Sequence, residues 1–115
     1  MSRAIAEITV RERGCCVALP EEPPLGEVQE LAAALKAVAD PTRLRMLRIL
    51  GASAQPVCVC DFTATFDIGQ PTVSHHLARL RDAGFVRSEK RGLWHHWSLR
   101  EDMPAAARRV LPVLT

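Results

Sequence analysis

Four cysteines stand in two tight groups, Cys15-Cys16 and Cys58-Val59-Cys60. Single cysteines are commonly buried and inert. Two paired groups in a chain of 115 residues point instead to thiolate chemistry. Soft thiolates exclude Mg(II) and Ca(II) as natural guests and suit As(III), Sb(III), Cd(II), Pb(II), Zn(II) or Cu(I). As(III) takes three thiolates in a pyramid, which a vicinal pair plus one distant thiol can supply. The structural alternative is that Cys58 and Cys60 merely open a helix and that Cys15-Cys16 has no role. Geometry constrains the first reading. Within a helix, residues i and i+2 do not face each other, whereas in an extended segment they point the same way. Cys58 and Cys60 can therefore share an ion only if residues 58–60 are extended, or become so on binding. Pro56 favours an extended lead-in, and Asp61 is an early helical residue. Cys60 then lies near a helix N-terminus, where the positive end of the dipole lowers a thiol pKa and favours thiolate.

The two histidine pairs offer less. On a helix His75 and His76 diverge by about 100°, and on a strand His95 and His96 point to opposite faces. Neither pair is expected to share an ion. By the same alternation Trp94 and Trp97 fall on opposite faces, with Trp97 and Leu99 as packing residues.

The elements that must position these groups follow from apolar spacing and from breaks. Residues 1–13 alternate loosely through Ile5, Ile8 and Val10, as a short strand or an ordered arm, and PEEPPLG at 20–26 separates them from the rest. We divide the chain into an arm, 1–24, carrying the Cys pair, and a folded domain, 25–115. From Glu27, the residues Val28, Leu31, Leu35 and Val38 fall on one helical face. Asp40 caps a second helix with Pro41 in its first turn, and its stripe is Leu44, Leu47 and Leu50. A short third helix runs from about Cys60 to Thr65, and Asp67-Ile68-Gly69 is a tight turn. A fourth helix starts near Gln70-Pro71 and ends at Ala83, where Gly84 caps it. Phe85–Glu89 and Leu93–Leu99 read as the strands of a hairpin turning at Lys90-Arg91-Gly92. A last helix covers Met103 to Leu114. The order is that of a winged helix-turn-helix, a mainly α fold with a small β-hairpin, whose fourth helix is shaped to enter a DNA major groove.

Composition sets the outer limits. Hydrophobic residues make up 48% and charged residues 24%, which excludes disorder throughout. Aromatics at 4%, with no Tyr, argue against a large aromatic cofactor pocket. The net charge of +2 is uneven: residues 1–40 carry seven acids and four bases, residues 41–115 eleven bases and six acids. The basic part suits an anionic partner. Thirteen of the fifteen bases are Arg, which suits bidentate contact with phosphate or guanine. No apolar run approaches the ~18 residues of a membrane span, and Arg3, Glu7, Arg11, Glu12 and Arg13 leave no apolar signal region. A cytoplasmic location without membrane contact is expected, with reduced cysteines engaged in metal or redox chemistry rather than structural disulfides. No CxxC follows a strand in a βαβ pattern and no Gly-rich pocket loop is present, so an enzyme is not expected.

Three strings carry a resemblance: LKAVADPTRLRMLRIL, VCVCDFTATFDIGQPTVSHHLARLRDAGFV and RGLWHHWSL. Over about residues 27–111 the chain resembles the ArsR/SmtB family of metal-responsive bacterial repressors, and CVCD resembles the metal box of its thiolate-sensing branch. The resemblance implies a repressor of the arsenical-resistance type. Such a repressor is a homodimer that binds an inverted-repeat operator in double-stranded DNA and lets go when As(III) or Sb(III) binds. It also implies that Cys15 and Cys16 on the arm complete a site with Cys58 and Cys60, within one protomer or across the dimer. A four-thiolate Cd(II) or Pb(II) site is the alternative. Adjacent arm cysteines make that cage harder to close, which favours As(III)/Sb(III). A thiol-redox repressor is a second alternative. The zinc branch uses Asp, His and Glu on the last helix; residues 103–115 hold none of these.

For DNA, the resemblance places Gln70, Thr72, Ser74 and His75 at the groove-facing start of the recognition helix. Gln can bond adenine, and Ser or Thr can contact base or phosphate. Thr72 or Ser74 could instead cap the helix, since Gly69 has no side chain to do so. His76 is expected to pack. Arg79 and, at the hairpin tip, Lys90 and Arg91 are candidates for phosphate or minor groove. Arg81 and Arg87 add positive charge along the helix end and wing, at least one of them as a solvated charge, and Arg43 reads as either a phosphate contact or an ion pair. The first and last helices carry more apolar surface than one small domain covers, which predicts a two-fold dimer.

Overall fold

The computed structural model describes residues 9, 10 and 17–114. The elements in chain order are β1 (Thr9–Val10), β2 (Val17–Ala18), α1 (Leu25–Val38), α2 (Pro41–Ala52), β3 (Val57–Cys58), α3 (Val59–Phe66), α4 (Gln70–Asp82), β4 (Val86–Arg91), β5 (Trp94–Leu99) and α5 (Ala105–Leu114). This is a winged helix-turn-helix. No helix among the described residues is long and apolar enough to cross a membrane.

The caps explain where the helices begin and end. Asp40 is extended, and its Oδ2 accepts the Arg43 N–H at 3.0 Å, so α2 starts at Pro41 as its sequence requires. Gly69 gives α4 no side-chain cap, and neither Thr72 nor Ser74 supplies one. Asp67 ends α3 in the left-handed region at φ 52°. At the far end of α4 the Gly84 N–H bonds to Arg81 O at 2.9 Å and the Phe85 N–H to Leu80 O at 3.0 Å, a Schellman closure with Gly84 at φ 89°. That glycine is needed twice over. A Cβ there would stand 2.5 Å from Pro104 Cδ, so the start of α5 is docked directly on this turn.

The core joins one stripe from each helix to the inner face of the wing. Phe62, Phe85, Met46, Leu77, Leu80, Val73 and Val86 are fully buried, each contributing about 1.5–3 kcal/mol of burial. Val73, Leu77 and Leu80 recur at helical spacing, so α4 is fixed by one face and presents the other. Trp97 is buried and Leu99 packs at the core edge. By contrast α1 buries only Ala34 and Val38. Leu25 and Leu35 remain 64% and 49% exposed, and Val113 of α5 is exposed as well.

The wing differs from the hairpin read in the sequence. β4 continues through Lys90 and Arg91 to pair Arg91 with Trp94, so the turn is Gly92-Leu93 rather than Lys90-Arg91-Gly92. Gly92, at φ 64°, provides the positive φ that a two-residue turn demands. A third strand also joins: β3 pairs antiparallel with β5, Val57 opposite Trp97 and Cys58 opposite His96, in the order β3-β5-β4. Two residues are too short to announce a strand by alternation.

Candidate thiolate centre and nucleic-acid interface

Cys58 is the last residue of β3 and the N-cap of α3. Its backbone is extended, at φ −69° and ψ 145°. Its Sγ accepts the Cys60 N–H at 3.4 Å, while Asp61 Oδ2 accepts the Cys58 N–H at 3.3 Å. This is a capping box in which a thiol takes the place usually held by Ser or Thr. The Cys60 thiol donates to Cys58 Sγ at 2.7 Å. The two sulfurs therefore converge, but not through an extended 58–60 segment. Helix α3 starts at Val59 and Cys60 is already helical. A cap side chain folds back over the first turn, so positions i and i+2 meet at a helix start even though they diverge inside a helix.

The acidity of Cys60 also departs from expectation. Its thiol is held above the ordinary range by the hydrogen bond to Cys58, then by desolvation and by the charges of Cys58 and Asp61. Those local groups outweigh the backbone hydrogen bond at Cys60 that opposes them. Cys60 is exposed and Cys58 buried, so one sulfur is open to solvent and the other is anchored. Two thiolates on one tetrahedral ion with bonds near 2.3 Å stand about 3.8 Å apart. The pair must open by roughly 1 Å to hold a soft ion, and the exposed Cys60 is free to turn. The donor set fits such an ion. Among the described residues no three His, Cys, Asp or Glu side chains converge on a metal position, so the pair needs a further ligand. Cys15 and Cys16 lie outside the described residues.

Sequence reasoning missed Asp61 as the reciprocal cap, although the Cys58–Asp61 spacing is that of a capping box. It also missed the pairing of Cys58 with His96, whose buried Nδ1 has no hydrogen-bond partner among the described residues.

The DNA-contact candidates divide by face. On α4, Gln70, Thr72, His75 and Arg79 are exposed, while Ser74 is half-buried and turned toward the wing. Arg79 lies a turn beyond His75, beside Lys36 and Asp82 at the α1 side of the helix. On the wing, Lys90 and Arg91 are exposed at the end of β4, with Arg91 paired to Glu89. His76 packs inward, its Nδ1 3.9 Å from Asp40 Oδ2. Arg43 leaves its buried Nε unpaired among the described residues.

Residues 40–88 match the model of the arsR family of bacterial regulatory proteins. The arsenical resistance operon repressor of Escherichia coli (strain K12) is 38% identical over 76 residues, 66% of this chain and 64% of that protein, so the chain spans just under two thirds of its length. The arsenical resistance operon repressor of Staphylococcus xylosus is 38% identical over 74 residues, 64% of this chain and 69% of that protein. Among solved structures, the transcriptional repressor BigR from Xylella fastidiosa superposes with a TM-score of 0.61 at 28% identity, over 78% of this chain and 84% of that one. The fold, the matched segment and these relatives agree: the chain belongs to the arsR family of bacterial regulatory proteins.

Proposed function

We propose that the chain is a transcriptional repressor, acting in the cytoplasm as a homodimer, that holds an inverted-repeat operator and releases it when As(III) or Sb(III) is taken by its cysteine thiolates. The observation that carries this reading is the convergent Cys58–Cys60 pair at the first turn of α3, the helix packed directly before α4. Cys15 or Cys16 supplies the third thiolate. Gln70, Thr72, Ser74 and His75 read the major groove, and Arg79, Lys90 and Arg91 hold phosphate. The half-exposed face of α1 beside α5 is the two-fold contact, which sets the two α4 helices one helical turn of DNA apart.

The cap supplies the mechanism. An ion that engages Cys58 Sγ competes with the Cys60 N–H for that atom, so the N-cap of α3 weakens as the ligand is gained. Loss of an N-cap is worth about 0.5–2 kcal/mol. The long 3.4 Å contact puts this cap at about 0.5–1 kcal/mol, at the lower edge of the 1–3 kcal/mol typical of coupling between two sites. The strained α3 then displaces α4.

The experiment is fluorescence anisotropy of the reduced protein on its own upstream DNA, titrated separately with arsenite, antimonite, Cd(II), Pb(II) and Zn(II). Release by arsenite or antimonite at far lower concentration than by the divalent ions supports the reading. Release by Cd(II) or Pb(II) alone moves it to a four-thiolate site, and release only after oxidant makes the thiols a redox switch.

A further inference from the structure

A groove of 310 Å³ separates α4 from the wing. Ser74 and Arg81 line it from the helix, and Ser88 and His95 from the strands. Among the described residues no carboxylate lines it. Arg81 is half-exposed, and its contact with Asp82 is a long one at 3.4 Å. Trp97 also lines the groove; it is only 6% exposed, and its indole N–H has no acceptor among the described residues. At the rim stand Leu93, 87% exposed, and the half-exposed Trp94. A lining rich in hydrogen-bond donors with one cation and no acid fits an anionic oxygen ligand flanked by an apolar surface.

The position selects which anion. A helix in the major groove and a wing in the adjoining minor groove are separated by one sugar–phosphate strand. That strand must cross the gap between the two elements. We infer that the α4–wing groove seats a backbone phosphate of the operator, held by Arg81, Ser88 and His95, with Leu93 and Trp94 against the neighbouring sugar. The inference rests on the DNA-binding reading of α4. It gives Arg81 and His95 roles that the sequence did not suggest.

The test uses the purified full chain and a duplex that it selects from a randomised pool, with single methylphosphonates placed in turn along each strand. One position per half-site is expected to weaken the wild-type chain about tenfold or more, as loss of a charge-assisted hydrogen bond does. Arg81→Gln should be insensitive to that same substitution, and its plot of log K against log salt should be shallower by about 0.9. Ser88→Ala provides a second, milder variant. If both variants keep wild-type affinity and salt slope while His75→Ala loses affinity, the seat is refuted and the recognition helix stands. A wild-type chain that selects no duplex overturns both. Trp94 and Trp97 are the only tryptophans and there is no Tyr, so fluorescence reports on the groove directly. A change with millimolar inorganic phosphate but none with duplex would assign the groove to a free anion and overturn the proposal.

Discussion

Cys58 combines two functions in one atom, and substitution can separate them. Its Sγ caps α3 and, in the proposed function, binds the inducer. Serine keeps an acceptor of similar reach and is among the preferred N-cap residues; alanine has none. The Cys60 N–H to Cys58 Sγ contact is long, at 3.4 Å, which puts the loss in Cys58→Ala at the lower end of the range, about 0.5–1 kcal/mol. For a domain of this size that lowers the melting temperature by about 2–8 °C. Cys58→Ser should melt within a few degrees of wild type and bind operator with unchanged affinity, yet fail to release it with arsenite. Circular-dichroism melting together with anisotropy reads all three quantities. Cys58→Ser that still releases at the wild-type arsenite concentration would show that Cys58 is no ligand. Cys58→Ala with the wild-type melting temperature would refute the coupling, because a cap of no energetic value cannot transmit anything when it is lost.

Three other perturbations test the fold and its assembly. Gly84→Ala combines a φ of 89° with a Cβ 2.5 Å from Pro104 Cδ; it should cost about 2–4 kcal/mol by urea denaturation, whereas Gly92→Ala, in open space at φ 64°, should cost about 1–2 kcal/mol. Burial holds the His76 pKa below its ordinary 6.5, outweighing the opposing charge of Asp40. The unfolded chain therefore binds more protons just below that pH, and the melting temperature should fall as pH drops through 6.5. His76→Gln should flatten that part of the profile. The Asp40 carboxyl is also held low, chiefly by the Arg43 backbone N–H, so its contribution is lost only in more acid solution. Leu35→Glu places a charge on the half-exposed face of α1. It should shift sedimentation equilibrium toward monomer and weaken operator binding while leaving the core intact.

Much of this architecture was legible because the signals were local. Asp40-Pro41 and Gly84 mark helix ends through their own stereochemistry, and the Val73, Leu77, Leu80 stripe fixes which side of α4 faces out. Part of what was missed depended on pairing between strands, whereas the Asp61 cap was local and lay in a spacing the sequence already showed. β3 is a strand only because β5 lies beside it, and Lys90-Arg91 extend β4 because Trp94 and His95 pair with them. The Cys60 acidity was misjudged because a dipole could be read from the sequence, whereas the hydrogen bond from its thiol to Cys58 requires coordinates. The cysteine pair itself was found, since its residue types and spacing limit the available chemistry.

The pairing of β3 with β5 carries one more consequence. Cys58, His96 and Glu89 form a single row across all three strands, so a backbone displacement at Cys58 is shared with the wing as well as with α3. In the proposed function the wing and α4, which packs on α3, both face DNA, and the two would then loosen together. Free energies at separate contacts add while binding constants multiply. A cap loss of about 0.5–1 kcal/mol weakens one half-site about two- to fivefold, and a two-fold dimer squares that factor. Four small displacements suffice where one large rearrangement would otherwise be needed.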